Sequence, residues 1–122
     1  MIGDICRLYL PYYDIQAKKQ RIKARPALII GEPDQDDLTV LPVSRVTDRR
    51  RIDPKYDLKI DPAQYPNTGL SSISYIRTNK VFTSNTSNIH SIYCNLRTEY
   101  PDVYISAIVL FEEYTRQIID KM

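Results

Sequence analysis

The chain has 122 residues, enough for one domain with a hydrophobic core that needs neither disulfides nor a structural metal as props. Hydrophobic residues make up 43% and charged residues 26%, ordinary globular values that exclude a wholly disordered chain. The net charge of +2 conceals segregation: the first 26 residues carry six Lys or Arg against Asp4 and Asp14, a second basic cluster runs from Arg45 to Lys59, and residues 97–122 are net acidic. Such a distribution suits a polyanion on one face.

In chain order, Gly3 to Leu10 alternates apolar, β-branched and aromatic residues and stops at Pro11, which predicts a first strand. Tyr12 to Lys23 reads as a long basic loop. Ala24 to Ile30 predicts a second strand with Arg25-Pro26 at its start, Gly31 to Asp37 an acidic turn, and Leu38 to Val46 a third strand, so that the last two form a hairpin. Arg49 to Asp57 is charged and irregular, Leu58 to Ile60 is a short strand, and Asp61 to Gly69, with two Pro and an Asn, is a loop. Ile73 to Thr83 alternates throughout and predicts one long strand, with Tyr75, Arg77 and Asn79 on one side and Thr78 and Lys80 on the other. Residues 84–95 are polar, with room for a turn or a last strand around Ile89 to Cys94. From Pro101 to Asp120 apolar residues recur at three- and four-residue steps behind a proline suited to a first helical turn, which predicts one amphipathic helix. Many short strands and one helix predict a mainly β (α+β) single domain over residues 1–122, a small twisted sheet or partly closed barrel.

No apolar run approaches the length of a bilayer span and the start lacks the blocks of a signal peptide, so the expected address is cytoplasmic, with no membrane partner. Cys6 and Cys94 lie far apart without metal-ligand spacing and are expected to be free buried thiols. His90 is the only histidine, which leaves no usual metal site and no two-histidine acid-base pair; in its Ser- and Asn-rich setting it reads as structural. The acidic run from Glu32 to Asp37 lacks the Gly and bidentate Glu of a calcium loop and reads as a solvated hairpin turn.

Three constellations carry chemistry. Pro26 fixes its own φ and biases Arg25 towards an extended conformation, so Arg25 is either a phosphate clamp beside the basic residues Lys18, Lys19, Arg21 and Lys23 or a surface side chain at a strand end. Within Leu41 to Val46, Ser44 and Arg45 point to opposite faces of a strand, so only one of them shares the face of Arg25; the Ser hydroxyl suits a ribose hydroxyl or a phosphate oxygen. Arg77, Thr78, Asn79 and Lys80 interrupt a half-buried pattern with four polar residues, and Tyr75 beside Arg77 and Asn79 joins stacking to charge and hydrogen bonding, the mixture that single-stranded nucleic acid requires.

Taken in order, "GDICRLYLP" from Gly3, "KARPALII" from Lys23, "LPVSRVT" from Leu41, "GLSSISYIRTNKVFT" from Gly69 and the closing helix resemble the PemK and MazF family, toxins of type II toxin-antitoxin systems. The resemblance spans nearly the whole chain. It implies an SH3-like barrel with a C-terminal helix, a homodimer, a groove for single-stranded RNA, neutralisation by a cognate antitoxin protein, and endoribonuclease activity with no metal and no cofactor. It further implies roles in cleavage for Arg25 and Ser44, the second standing where the family has Thr, and for Arg77 and Asn79, the second standing where one branch has Asp. An amide cannot accept a proton as a carboxylate does, and residues 11–24 contain no match for the family's loop His. The general base is therefore unassigned, and the alternative expectation is a weakened barrel that binds RNA, DNA or an antitoxin-type peptide without cutting.

Overall fold

The computed structural model describes residues 1–122. Seven strands and two helices follow one another: β1 (Asp4–Asp14), β2 (Lys19–Gly31), β3 (Asp37–Ser44), β4 (Asp57–Ile60), β5 (Ser74–Arg77), β6 (Phe82–Asn85), β7 (Ile89–Asn95), α1 (Leu96–Glu99) and α2 (Pro101–Asp120). All pairings are antiparallel, in the order β4-β5-β3-β2-β1-β7, with β6 also on β3. The sheet curls into an open half-barrel: β4 and β7 end the path without pairing to each other, so no closed barrel is formed. No helix is long and apolar enough to cross a membrane.

Both faces of the central strands are buried, which is why Ala27, Leu28 and Ile29 are all fully covered instead of alternating in and out. On one face Ile5, Leu28, Leu41, Val43, Ile60 and Ile76 pack beneath Leu96, Val103 and Ala107 of the two helices. On the other, Cys6, Leu8, Ala27, Ile29, Leu38 and Val40 form a second cluster, edged by Leu10, Phe82 and Ile89. Helix α2 spans the residues that its apolar spacing predicts, with Pro101 in the first turn. Gly3 opens β1 at φ 92°, where a Cβ would lie 2.6 Å from that of Arg97; its carbonyl accepts the Leu96 N–H at 2.7 Å and so ties the start of β1 to the start of α1.

Three expectations are corrected. Tyr12 to Lys23 is not a loop: β1 and β2 stay paired out to Asp14↔Lys19 and project as a two-stranded ribbon. Its tip is closed by a turn in which Asp14 Oδ1 accepts the Ala17 N–H and Lys18 takes a left-handed φ of 53°. Arg25-Pro26 accordingly lies inside a strand, not at its start. Pro26 is tolerated because β3 pairs with β2 only as far as Ala27, leaving an open edge that needs no donor there. Finally, Ile73 to Thr83 is two strands. Both run along the same edge of β3, but the six steps from Ile76 to Phe82 oppose only three from Val43 to Val40, so the excess is thrown out as a turn after Arg77. An odd excess reverses the alternation. Phe82 therefore shares a face with Tyr75 and Arg77, opposite to the assignment by simple parity, and Asn79 leaves the sheet altogether.

Candidate nucleic-acid interface

Along β2 one face reads Ile29, Ala27, Arg25, Lys23, Arg21, Lys19: core at one end, cationic at the other. Extending the register past Ala27↔Pro42 sets Arg25 opposite Ser44, and Ser44 is paired in turn with Tyr75 on β5. Arg25, Ser44 and Arg77, far apart in sequence, thus line one cleft of about 190 Å³ together with Arg45, Thr47, Asp48 and Arg51. Ser44 and Arg45 both reach it, contrary to the opposite-faces expectation, because β3 ends at Ser44 and alternation lapses beyond it.

Arg77 is the fixed member. Its Nε donates to Asp57 Oδ1 at 2.9 Å and its Nη2 to the Arg51 carbonyl at 3.0 Å, while Asp57 Oδ2 accepts the Asp53 N–H at 2.8 Å. The Asp57 carboxylate is wholly buried and Arg77 is 19% exposed, so the pair is rigid and weakly screened. This arrangement leaves Nη1 and the other Nη2 proton of Arg77 for the cleft. Arg25, Arg45 and Arg51 form no ion pair. Unpaired guanidinium groups crowded together repel one another and are relieved by an anion, and their fork of donors matches phosphate oxygens.

Asp48 is the carboxylate lining the cleft. Both its oxygens are engaged by the Arg50 side chain at 3.2 Å, and Oδ1 also accepts the Arg50 N–H at 3.0 Å. Those bonds, the Arg50 side chain first, hold its carboxyl below the usual carboxylate range. A carboxylate so stabilised is a weak proton acceptor.

The remaining predicted residues are dispersed. Lys18 sits in the ribbon turn, and Lys19, Arg21 and Lys23 follow it along the exposed part of β2, with Arg21 paired to Asp14 at 3.0 Å. Tyr75 is half-buried beside Ser44 but does not line the cleft. Thr78 is fully buried and its hydroxyl donates to the Tyr56 carbonyl, so it is a structural residue and not an RNA contact. Asn79 lies in the turn after β5, outside the cleft, with a buried Oδ1 that has no partner; Lys80, in the same turn, is exposed. Arg51, in the cleft, and Asp57, which anchors Arg77 from behind it, are the residues that motif spacing does not reveal, though the basic cluster around Arg51 is visible as charge. No group of three or more His, Cys, Asp or Glu side chains gathers where a metal ion would be held. No family model matches the chain, and no curated protein matches it.

Proposed function

We propose that this chain is a PemK/MazF-like toxin: an SH3-like, homodimeric endoribonuclease that cleaves single-stranded RNA and is neutralised by an antitoxin protein. The observation that carries the reading is the convergence of Arg25, Ser44 and Arg77 on one cleft with two further arginines. In RNA cleavage without an added nucleophile the ribose 2′-oxygen attacks phosphorus, the bond to the 5′-oxygen breaks, and a 2′,3′-cyclic phosphate and a 5′-hydroxyl end result. The 2′-proton must leave, the 5′-oxygen must gain one, and the crowded phosphorane carries extra negative charge. Arg25 and the anchored Arg77 answer that charge; Ser44, which lines the same cleft, orients the ribose hydroxyl or a phosphate oxygen.

The test is RNA incubated with purified protein in EDTA, with end-group analysis of the fragments. The expected result is cleavage that leaves 5′-hydroxyl ends and falls roughly a hundredfold or more in Arg25→Ala. Equal cleavage by the variant would sink the assignment. A second reading, an RNA-binding protein that does not cut, is favoured by one specific feature: the only carboxylate at the cleft is the acidified Asp48, and Asn79 stands outside it. Salt-sensitive RNA binding without cleavage products would select that second reading.

A further inference from the structure

A pocket of about 180 Å³ lies on the opposite face of the sheet from the arginine cleft. Strand alternation sets the two back to back: Pro26 and Val43 wall the pocket, while their neighbours Arg25 and Ser44 wall the cleft. Arg45 alone lines both, because β3 ends at Ser44 and the next side chain sits on the rim between the two faces.

The loop that follows Thr68 builds the other wall. Gly69 takes a φ of 78°, and a Cβ there would lie 2.9 Å from that of Tyr93, so the loop closes against β7 only through a glycine. It is tied at both ends: the Leu70 N–H donates to Thr68 Oγ1 at 3.3 Å, and Ser74 Oγ donates to the Ser72 carbonyl at 3.0 Å. Between those ties the N–H groups and hydroxyls of Ser71 and Ser72 donate to no acceptor within the chain. Arg45 forms no ion pair, and no carboxylate lines the pocket. The polar lining is therefore a cation beside uncommitted donors on a fixed turn, with apolar walls that strengthen any charge-assisted bond made there.

We infer that this pocket is a second anion site, which takes a phosphate group between the Arg45 guanidinium and the Ser71–Ser72 turn. The guanidinium fork matches two phosphate oxygens, and the turn donates to a third. At about 180 Å³ the pocket is smaller than the roughly 300–1,000 Å³ that encloses a drug-sized molecule, which favours a small anion. The phosphate is either a free one or a phosphate of an RNA strand that Arg45 passes over the rim from the cleft. Only the second source rests on the nucleic-acid reading.

The test follows backbone amide shifts of the whole chain by NMR while inorganic phosphate replaces chloride at constant ionic strength. The expected result is a saturable shift at Ser71 and Ser72, with shifts at Ser44 and Thr47 reporting the cleft separately. Changing Ser71→Ala and Ser72→Ala together should weaken the first set at least about tenfold and leave the midpoint of the second unchanged. That double change keeps the Ser72 carbonyl on which Ser74 depends, and both side chains lie outside the buried clusters, so the remaining amide spectrum should be preserved. Arg45→Gln should weaken both sets. A tetranucleotide with 2′-fluoro riboses, which lack the attacking hydroxyl, then distinguishes the sources. If it displaces phosphate from both sets and binds the double variant more weakly, the strand supplies the phosphate; if the shifts at Ser71 and Ser72 survive its binding, the site takes free phosphate. No saturable shift at Ser71 and Ser72, or an equal midpoint in the double variant, would overturn the site while leaving the arginine cleft in place. Phosphate held at Ser71 and Ser72 by a protein that binds no RNA at low salt would support the site and overturn the nucleic-acid reading alone.

Discussion

Root and tip of the β1–β2 ribbon share one unbroken register but little else. At the root, Ile5, Cys6, Leu8, Ala27, Leu28 and Ile29 are all fully buried, because β3 and β7 flank the pair and each face has its own apolar cluster. Beyond Leu8 on β1 and Ala27 on β2 the same two strands have no further partner; Tyr13 is 56% and Ile22 72% exposed. What holds the tip is local: the Asp14 cap, the Asp14–Arg21 ion pair and the ladder itself. Exposed pairs of that kind contribute little to stability, so the tip persists as an extension of a register set elsewhere. Arg25 stands at the junction, next to a fully buried Ala27 on its own face, and so borrows rigidity from the root while facing solvent.

The contrast can be broken first at the root. Leu28→Ala should cost about 2–5 kcal/mol, read as a lower urea midpoint with an unchanged slope. A cost below about 1 kcal/mol would mean that the two-cluster core is not the chief source of stability.

A smaller effect should come from the thiols. Burial, helped by Asp4, pushes Cys6 up to about 11, and burial with Glu99 and Asp4 does the same to Cys94. The unfolded chain then loses these protons first, starting near 9.0, so the contribution is intact at neutral pH and is lost as pH climbs from about 9 towards 11. By pH 10 the decline should be about 1 kcal/mol per thiol. Unfolding curves of a Cys6→Ala, Cys94→Ala protein should show that much less alkaline loss, and identical pH dependence in the two proteins would refute the account.

The smallest effect belongs to the tip. Replacing Lys19 and Lys23 together by Gln should move stability by no more than about 0.5 kcal/mol. If RNA lies along the ribbon, the same double change should flatten the log–log salt slope of binding by about 0.7 for each phosphate that is no longer neutralised. Unfolding of the domain by that double change would show that the tip is a structural element in its own right.

Much of the fold can be read directly from residue pattern. Alternation in Gly3 to Leu10 and Leu38 to Val46, the apolar run through Ile30 and the three- and four-residue spacing after Pro101 each report a face buried against something, and burial is what periodicity records. The ribbon tip escapes because its strands bury no face, so nothing in their residues distinguishes them from a polar loop. The long strand misleads for the opposite reason: alternation is smooth from Ile73 to Thr83, and only pairing with β3 reveals that the chain has more residues than its partner can match.

The candidate site divides in the same way. Arg25 and its basic neighbours, Ser44, and the polar block at Arg77 are legible as residue types, and residue order alone specifies a cationic chain of short strands with one amphipathic helix. It takes the folded sheet to establish that Arg25, Ser44 and Arg77 meet, that Arg45 and Arg51 join them, that a buried Asp57 anchors Arg77, and that Thr78 and Asn79 do not take part. A side chain's type and local periodicity are written residue by residue, whereas which of two faces it joins depends on how many residues its partner strand offers, and that number is settled only when the strands pair.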